Sequence, residues 1–432
     1  MAYKNLIMAH ILSLRALTEP NAPYTRRAFT PMYQKGRELI CQWLDELEID
    51  HWLDSAGNLH ARIAGKSPST IYVGSHSDTV PNGGAYDGIL GVVAGIELLR
   101  YVKMHDISLN YSLEFIDFLA EETTDWGLSC IGSRALTGAL TDAHLALLHP
   151  KTGQSLKAAI NDMGGDLTQE LPSLSLTGND YFLELHIEQG PVLERLDLDI
   201  VIVTSLVGIT RISVVTRGMS NHSGTTPMSM RQDSLVTASA LIVKANLIAE
   251  TLAVEAEKKG AYFVATVGHI SNTPNVINVV PSKTEIIFDL RASDNEYIGE
   301  FTTLIEQEIS LITQASAEKL LPVEINLSLL SHTEPISFDC DLAELCDSLA
   351  IEKGLTTKIM TSGAGHDAAF MAKRMKTLMI FIPSKEGISH NAAEYSSDKD
   401  IQQGSGLLID LVLALNRRLD RRTTDVDPRN GQ

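Results

Sequence analysis

VGSHSDTVPNGGAYDGILGV, residues 73–92, reads as the end of a strand, a tight turn and the first turn of a helix. An apolar strand, Thr70 to Val73, runs into His76 and Asp78, which at alternate positions point the same way. Asp78 can therefore hold the far ring nitrogen of His76, the usual way a metal-bound imidazole is oriented. Gly83, Gly84 and Gly88 let the backbone fold tightly and bring Asp87 back beside His76, and a helix starts near Ile89.

Working outward, short strands alternate with helices. A helix over Pro31–Leu47 buries Leu39, Ile40, Trp43, Leu44 and Leu47; strands Leu59–Ile63 and Ile71–Gly74, helix Ile89–Met104 and strand Tyr111–Phe118 follow. Such alternation predicts an α/β layer around a largely parallel sheet, with ligands at the carboxyl ends of its strands. Three more strand ends carry suitable side chains. Glu121 and Glu122 follow the strand ending at Phe118; adjacent carboxylates point apart, so one can bind metal while the other handles a proton. His186 follows Tyr181–Leu185, and His390 follows Thr377–Pro383. Residues 142–179 read as helical and loop material without chemistry.

Between Arg211 and Leu329 the order becomes β-α-β-β-α-β, that of a small ferredoxin-like unit. The division is then 1–210 and 330–432 for one α/β domain, with 211–329 inserted. The chain has 432 residues and a net charge of −19, which argues against nucleic acid or an anionic membrane as partner. Cys41, Cys130, Cys340 and Cys346 are scattered, as expected in a reducing compartment. The N-terminal twenty residues read as an amphipathic helix, not a signal peptide, and no run approaches a membrane span. Together these point to a cytoplasmic protein whose polar tail after Arg418 frays.

His76, Asp87, Glu122, His186 and His390 form one set. Histidines and a shared carboxylate around an ion suit zinc, manganese or cobalt, and a carboxylate between two ions is the usual two-metal hydrolase layout. The motifs GSHSDTVPNGGAYDG, AEE, ELHIEQGP, GMSNHSGTTPM, NVINVVP with DLRA, SGAGHDA and ISHNAAEYS resemble the dinuclear-metal amidohydrolases that include aminoacylase and carboxypeptidase G-type enzymes. Within them the chain resembles the N-carbamoyl-L-amino-acid hydrolase, β-ureidopropionase and allantoate amidohydrolase branch.

The resemblance covers nearly the whole chain. It implies a mixed-sheet, zinc-peptidase-like catalytic domain, an inserted lid and dimerisation domain, and two divalent ions per subunit (zinc, manganese, cobalt or nickel). His76 and His186 would bind one ion, Glu122 and His390 the other, with Asp87 bridging and Asp78 orienting His76. Glu121 would be the general base. His222 would stabilise the oxyanion from the partner subunit of a homodimer. Asn278 and Arg291 would clamp the substrate carboxylate, and Gln189 and His366 would make further substrate contacts. The substrate would be a small carboxylate bearing an amide or ureido group: an N-carbamoyl amino acid, ureidopropionate, allantoate or a ureidoglycolate-type compound. An N-acyl amino acid is the alternative. Two segments depart from the pattern. Thr123–Trp126 stands where many carbamoyl hydrolases have Gly-Ser-Arg-Phe, which bears on the substrate side chain and on the ureido preference itself but not on the metal ligands, and TRRAFTP (residues 25–31), where relatives line the pocket, matches only loosely.

Overall fold

The computed structural model describes residues 6–317 and 322–424. The chain divides into two compact units, with the boundaries at Thr204/Ser205 and Ser337/Phe338 and with Thr361–Gly365 joining the second. The sequence reading placed these boundaries at 210/211 and 329/330.

The first unit is a mixed α/β layer. Its strands lie in the order His51–Leu53, Leu59–Ile63, Ser112–Phe118, Thr70–His76, Tyr181–Ile187, Lys376–Ile382 and Ile200–Leu206. The four in the middle are mutually parallel, and the flanking pairs are antiparallel. Thr70–His76, Ser112–Phe118 and Tyr181–Ile187 are buried along their whole length, polar residues included, as parallel strands covered on both faces are. Register places the site: His76 pairs with Phe118, and His186 with Phe381, so these strands end at one edge of the sheet.

Helix Ile89–Met104 covers the parallel strands, packing Val92, Val93, Ile96 and Leu99 into a core with Val73, Phe115 and Leu183. Each such side chain contributes about 1.5–3 kcal/mol on full burial. The helix begins at Gly88, whose φ of +67° lies in the left-handed region; a Cβ there would also meet the His76 ring at 2.5 Å. The final helix spans Asp398–Thr424, so residues 420–424 of the tail expected to fray are helical, and the rest of that tail lies outside the described residues. Strand Ile200–Leu206 was not anticipated. Its run of apolar letters continues almost unbroken into the next strand, so no punctuation marks its end.

The second unit has four antiparallel strands in the order Glu324–Thr333, Gly208–Arg217, Lys283–Ala292, Phe263–Thr273, and two long helices, Ser234–Lys258 and Asn295–Ala317. Along Lys283–Ala292 buried and part-exposed residues alternate, so the helices pack on one face of this sheet. Helix Ser234–Lys258 is long and apolar enough to cross a membrane by length and composition, a property that Lys244 and Glu250 disguise in the sequence. One face of it (Ala238, Leu241, Ala245, Ala249, Leu252 and Ala256) is buried in the unit's own core.

Candidate metal centre

Four strand ends of the first unit bring their polar groups to one place. His76 closes the strand Thr70–His76, and His186 sits one residue from the end of Tyr181–Ile187; both were expected on loops and belong to the strands. Asp87 lies in the turn before helix Ile89–Met104. Its Oδ1 is 3.1 Å from His186 Nε2 and 3.9 Å from His76 Nε2. Its Oδ2 is 3.0 Å from His390 Nε2, which is 3.2 Å from Glu122 Oε1. One buried carboxylate thus faces three imidazoles.

Two donor groups result, His76–Asp87–His186 and Asp87–Glu122–His390, with the ligand atoms of each within 4.8 Å of one another. Imidazole nitrogen and carboxylate oxygen are the donors that first-row divalent cations accept, and the sharing of Asp87 fits a pair of them. The electrostatics agree. Burial works to raise the Asp87 carboxyl, but its bonds to His186 and His390 outweigh this and hold it well below the carboxylate range. Bonds to Asp87 and Glu122 lift His390 to about 10. A third grouping, Glu184–His186–His366, reuses His186, whose Nδ1 is already held by the Ile187 carbonyl at 2.9 Å.

Glu121 belongs to neither donor group. Its Oε2 is 3.8 Å from His76 Nε2, and burial pushes its carboxyl well above the ordinary range, against the opposing pull of His76. The Cys130 thiol donates to Oε1 at 3.4 Å, and the Cys130 N–H donates to the Glu121 carbonyl at 2.8 Å. Cys130 was missed by sequence reading; its only signal is a small apolar residue in the loop after the glutamate pair. Glu184 was missed as well, although the alternation Glu184, His186 puts both on one face of a strand. Its Oε1 accepts from Ser75 Oγ at 2.7 Å.

Asp78 lies at the far nitrogen of His76, as expected, and makes further contacts. The nearest group to His76 Nδ1 is the Asp78 backbone carbonyl at 3.1 Å, with the carboxylate at 3.5 Å. The carboxylate also accepts the N–H groups of Glu121 (3.2 Å) and Glu122 (3.3 Å). Ala120, with φ of +54°, turns the chain just before this pair. Gln189 donates from Nε2 to Asp87 Oδ2 at 3.1 Å, and His366 is buried with its ring edge-on to His186 at 4.6 Å. Burial, with His186 adding to it, holds His366 well below its ordinary value, so the ring is neutral. The two segments that depart from the expected pattern meet each other: Arg27 Nη2 is 2.8 Å from Asp125 Oδ1, and the Phe29 and Trp126 rings are 5.1 Å apart, edge to face.

Three residues named from the sequence lie in the second unit. His222 pairs with Val279 in a two-residue ladder and accepts from the Gly224 N–H at Nδ1, 3.0 Å away. The Asn278 carbonyl accepts from the Ser223 N–H at 3.0 Å. Arg291 lies on strand Lys283–Ala292, with Nε 2.8 Å from Asp289 Oδ1 and Nη1 donating to the Gly363 carbonyl at 2.9 Å.

Residues 72–414 match the model of Peptidase family M20/M25/M40. An N-carbamoyl-L-amino-acid amidohydrolase of Paenarthrobacter aurescens is 31% identical over 398 residues, 91% of this chain and 93% of its own. An allantoate amidohydrolase of Bacillus subtilis (strain 168) is 31% identical over 393 residues, 90% of this chain and 92% of its own. The crystal structure of an amidase of the hydantoinase/carbamoylase family from Burkholderia multivorans superposes with a TM-score of 0.84 at 27% identity, covering 95% of this chain and 97% of that one.

Proposed function

Because the chain belongs to Peptidase family M20/M25/M40, we propose that it is a metal-dependent amidohydrolase that cleaves a linear amide or ureido C–N bond. Its substrate is a small carboxylate, of the N-carbamoyl-L-amino acid or allantoate type. The observation that carries this reading is Asp87, buried between His76, His186 and His390, with the carboxylate of Glu121 beside them in neither donor group.

His76 and His186 would hold one divalent ion, Glu122 and His390 the other, and Asp87 both; zinc, manganese, cobalt and nickel all suit these donors. Bound there, the ions would lower the pKa of a water and polarise the scissile carbonyl. Glu121 takes a proton and returns it to the leaving nitrogen, a task that a buried carboxylate with raised proton affinity suits. Asp78 holds the backbone of the glutamate pair, and so sets where both carboxylates begin.

From the second unit, Arg291 and Asn278 hold the substrate carboxylate, Arg291 by its planar fork. The Gly224 N–H bond to His222 Nδ1 leaves the neutral ring's proton on Nε2, the donor that an oxyanion requires. We further propose that this unit serves as lid and homodimer contact. Val236, Val243, Leu247 and Val254 form an exposed apolar stripe on helix Ser234–Lys258. The four free thiols suit a reducing, cytoplasmic setting.

The test is to strip the protein, reload it with manganese, zinc, cobalt or nickel, and assay N-carbamoyl amino acids, allantoate and N-acetyl amino acids. Ammonia release from ureido compounds supports the proposal. Free amine with a carboxylic acid from N-acetyl compounds, and no ammonia, moves the chain to the aminoacylase reading. No turnover with any metal refutes both.

A further inference from the structure

Asp87 and His390 come from distant parts of the chain, and one side chain used by neither donor group ties them together. Glu394 is 5% exposed. Its Oε1 accepts the N–H of Tyr86 at 2.8 Å and of Asp87 at 3.0 Å, the latter 307 residues away. Its Oε2 accepts from Ser389 Oγ at 2.9 Å, next to His390. The loop that carries it is closed on itself by Lys385 N–H to the Tyr395 carbonyl (2.9 Å) and by Ser396 Oγ to the Pro383 carbonyl (2.7 Å). The carboxylate therefore joins this loop, which is also tied to Gln189 and Glu194 through Ser384 and Glu386, to the turn that holds Asp87. The turn is shaped to receive it: a Cβ added at Gly84 would lie 1.9 Å from the Glu394 carboxylate.

We infer that Glu394 is a positioning residue that sets the separation of Asp87 and His390, and so governs the affinity of the ion held by Asp87, Glu122 and His390. This rests on the metal reading above. His76 and His186 have ties of their own, from Nδ1 to the Asp78 and Ile187 carbonyls. His390 differs: its side chain is 48% exposed and its φ is +53°, so its place depends on its loop, and Glu394 is the side chain that ties this loop to the Tyr86–Asp87 turn. Groups that orient ligands in this way are typically worth about 10–100-fold in metal affinity.

The experiment measures manganese or zinc binding to the full chain by chelator competition and ion counting, with circular dichroism as the check on folding. Wild type should take two ions. Glu394→Ala should lose about 10–100-fold in affinity for one ion and leave the other little changed. Glu394→Gln, which keeps an acceptor oxygen for both N–H groups, should bind close to wild type. Gly84→Ala leaves Glu394 chemically intact and should reproduce the Glu394→Ala loss by displacing it, which keeps the test open if removing the carboxylate unfolds the chain. In the Glu394→Ala background the clash is gone, so adding Gly84→Ala should cost nothing further. Two ions bound by Glu394→Ala or by Gly84→Ala as tightly as by wild type, or additive losses in the double variant, overturn the inference alone. A wild-type chain that takes up no metal overturns the metal reading with it.

Discussion

His60 tests whether the electrostatics of this fold are read correctly. Its Nδ1 is 2.9 Å from Glu114 Oε1 and its Nε2 is 3.2 Å from Asp54 Oδ2, and the residue is 3% exposed. A carboxylate accepts and cannot donate, so both ring nitrogens carry protons and the ring is an imidazolium. Burial alone would lower its pKa; the bonds to Asp54 and Glu114 outweigh burial and raise it from 6.5 to about 9. At 1.36 kcal/mol per unit, that difference amounts to roughly 3 kcal/mol. Because the folded-state value lies above the unfolded one, this stabilisation is complete below pH 6.5, declines between 6.5 and about 9, and is gone above that.

His60→Gln removes the titrating group. Urea unfolding of wild type and variant should therefore differ by roughly 3 kcal/mol more at pH 6 than at pH 10. The Trp52 indole stacks on His60 with centroids 5.3 Å apart and gives a local fluorescence signal. A wild-type-minus-variant difference that stays flat across that range would refute the imidazolium assignment. The network reaches the site: Asn58 Nδ2 donates to Asp54 Oδ2 at 2.8 Å, and Asn58 Oδ1 accepts the Leu119 N–H at 2.9 Å, two residues before Glu121.

Glu121→Gln should lower kcat by about 10²–10⁴-fold while metal content stays at the wild-type level, since Glu121 is in neither donor group; retained turnover ends its assignment as base. Arg291→Ala should raise KM for carboxylate substrates by about 10–150-fold, the worth of a charged hydrogen bond, and an unchanged KM removes it from the clamp. Arg37→Leu strands Asp117, fully buried and bonded to Arg37 Nε at 3.0 Å, so thermal melts should show a loss of about 3–5 kcal/mol. An unaltered melting temperature would show that the pair contributes nothing.

Much of the site was legible because parallel strands announce themselves. Their ends lie at one edge of the sheet, so the polar residues at or after them, His76, Glu122, His186 and, a loop further on, His390, are brought to one side. Helix Ile89–Met104 has the bounds that the sequence predicts, since Gly88 marks its start. Spacing says which residues share an edge, but not which polar group a donor selects there. Asp78 was read as the partner of His76 from its alternate position; its carboxylate does stand 3.5 Å from His76 Nδ1, but it also takes two N–H groups 43 and 44 residues away, which no spacing announces. Glu394 was harder still, because a glutamate in a polar loop looks like any solvated carboxylate. Its signal lay 310 positions upstream, in a second glycine at residue 84 for which a turn alone gives no reason. Gly84 is needed because a carboxylate from the other end of the chain fills the space its side chain would take.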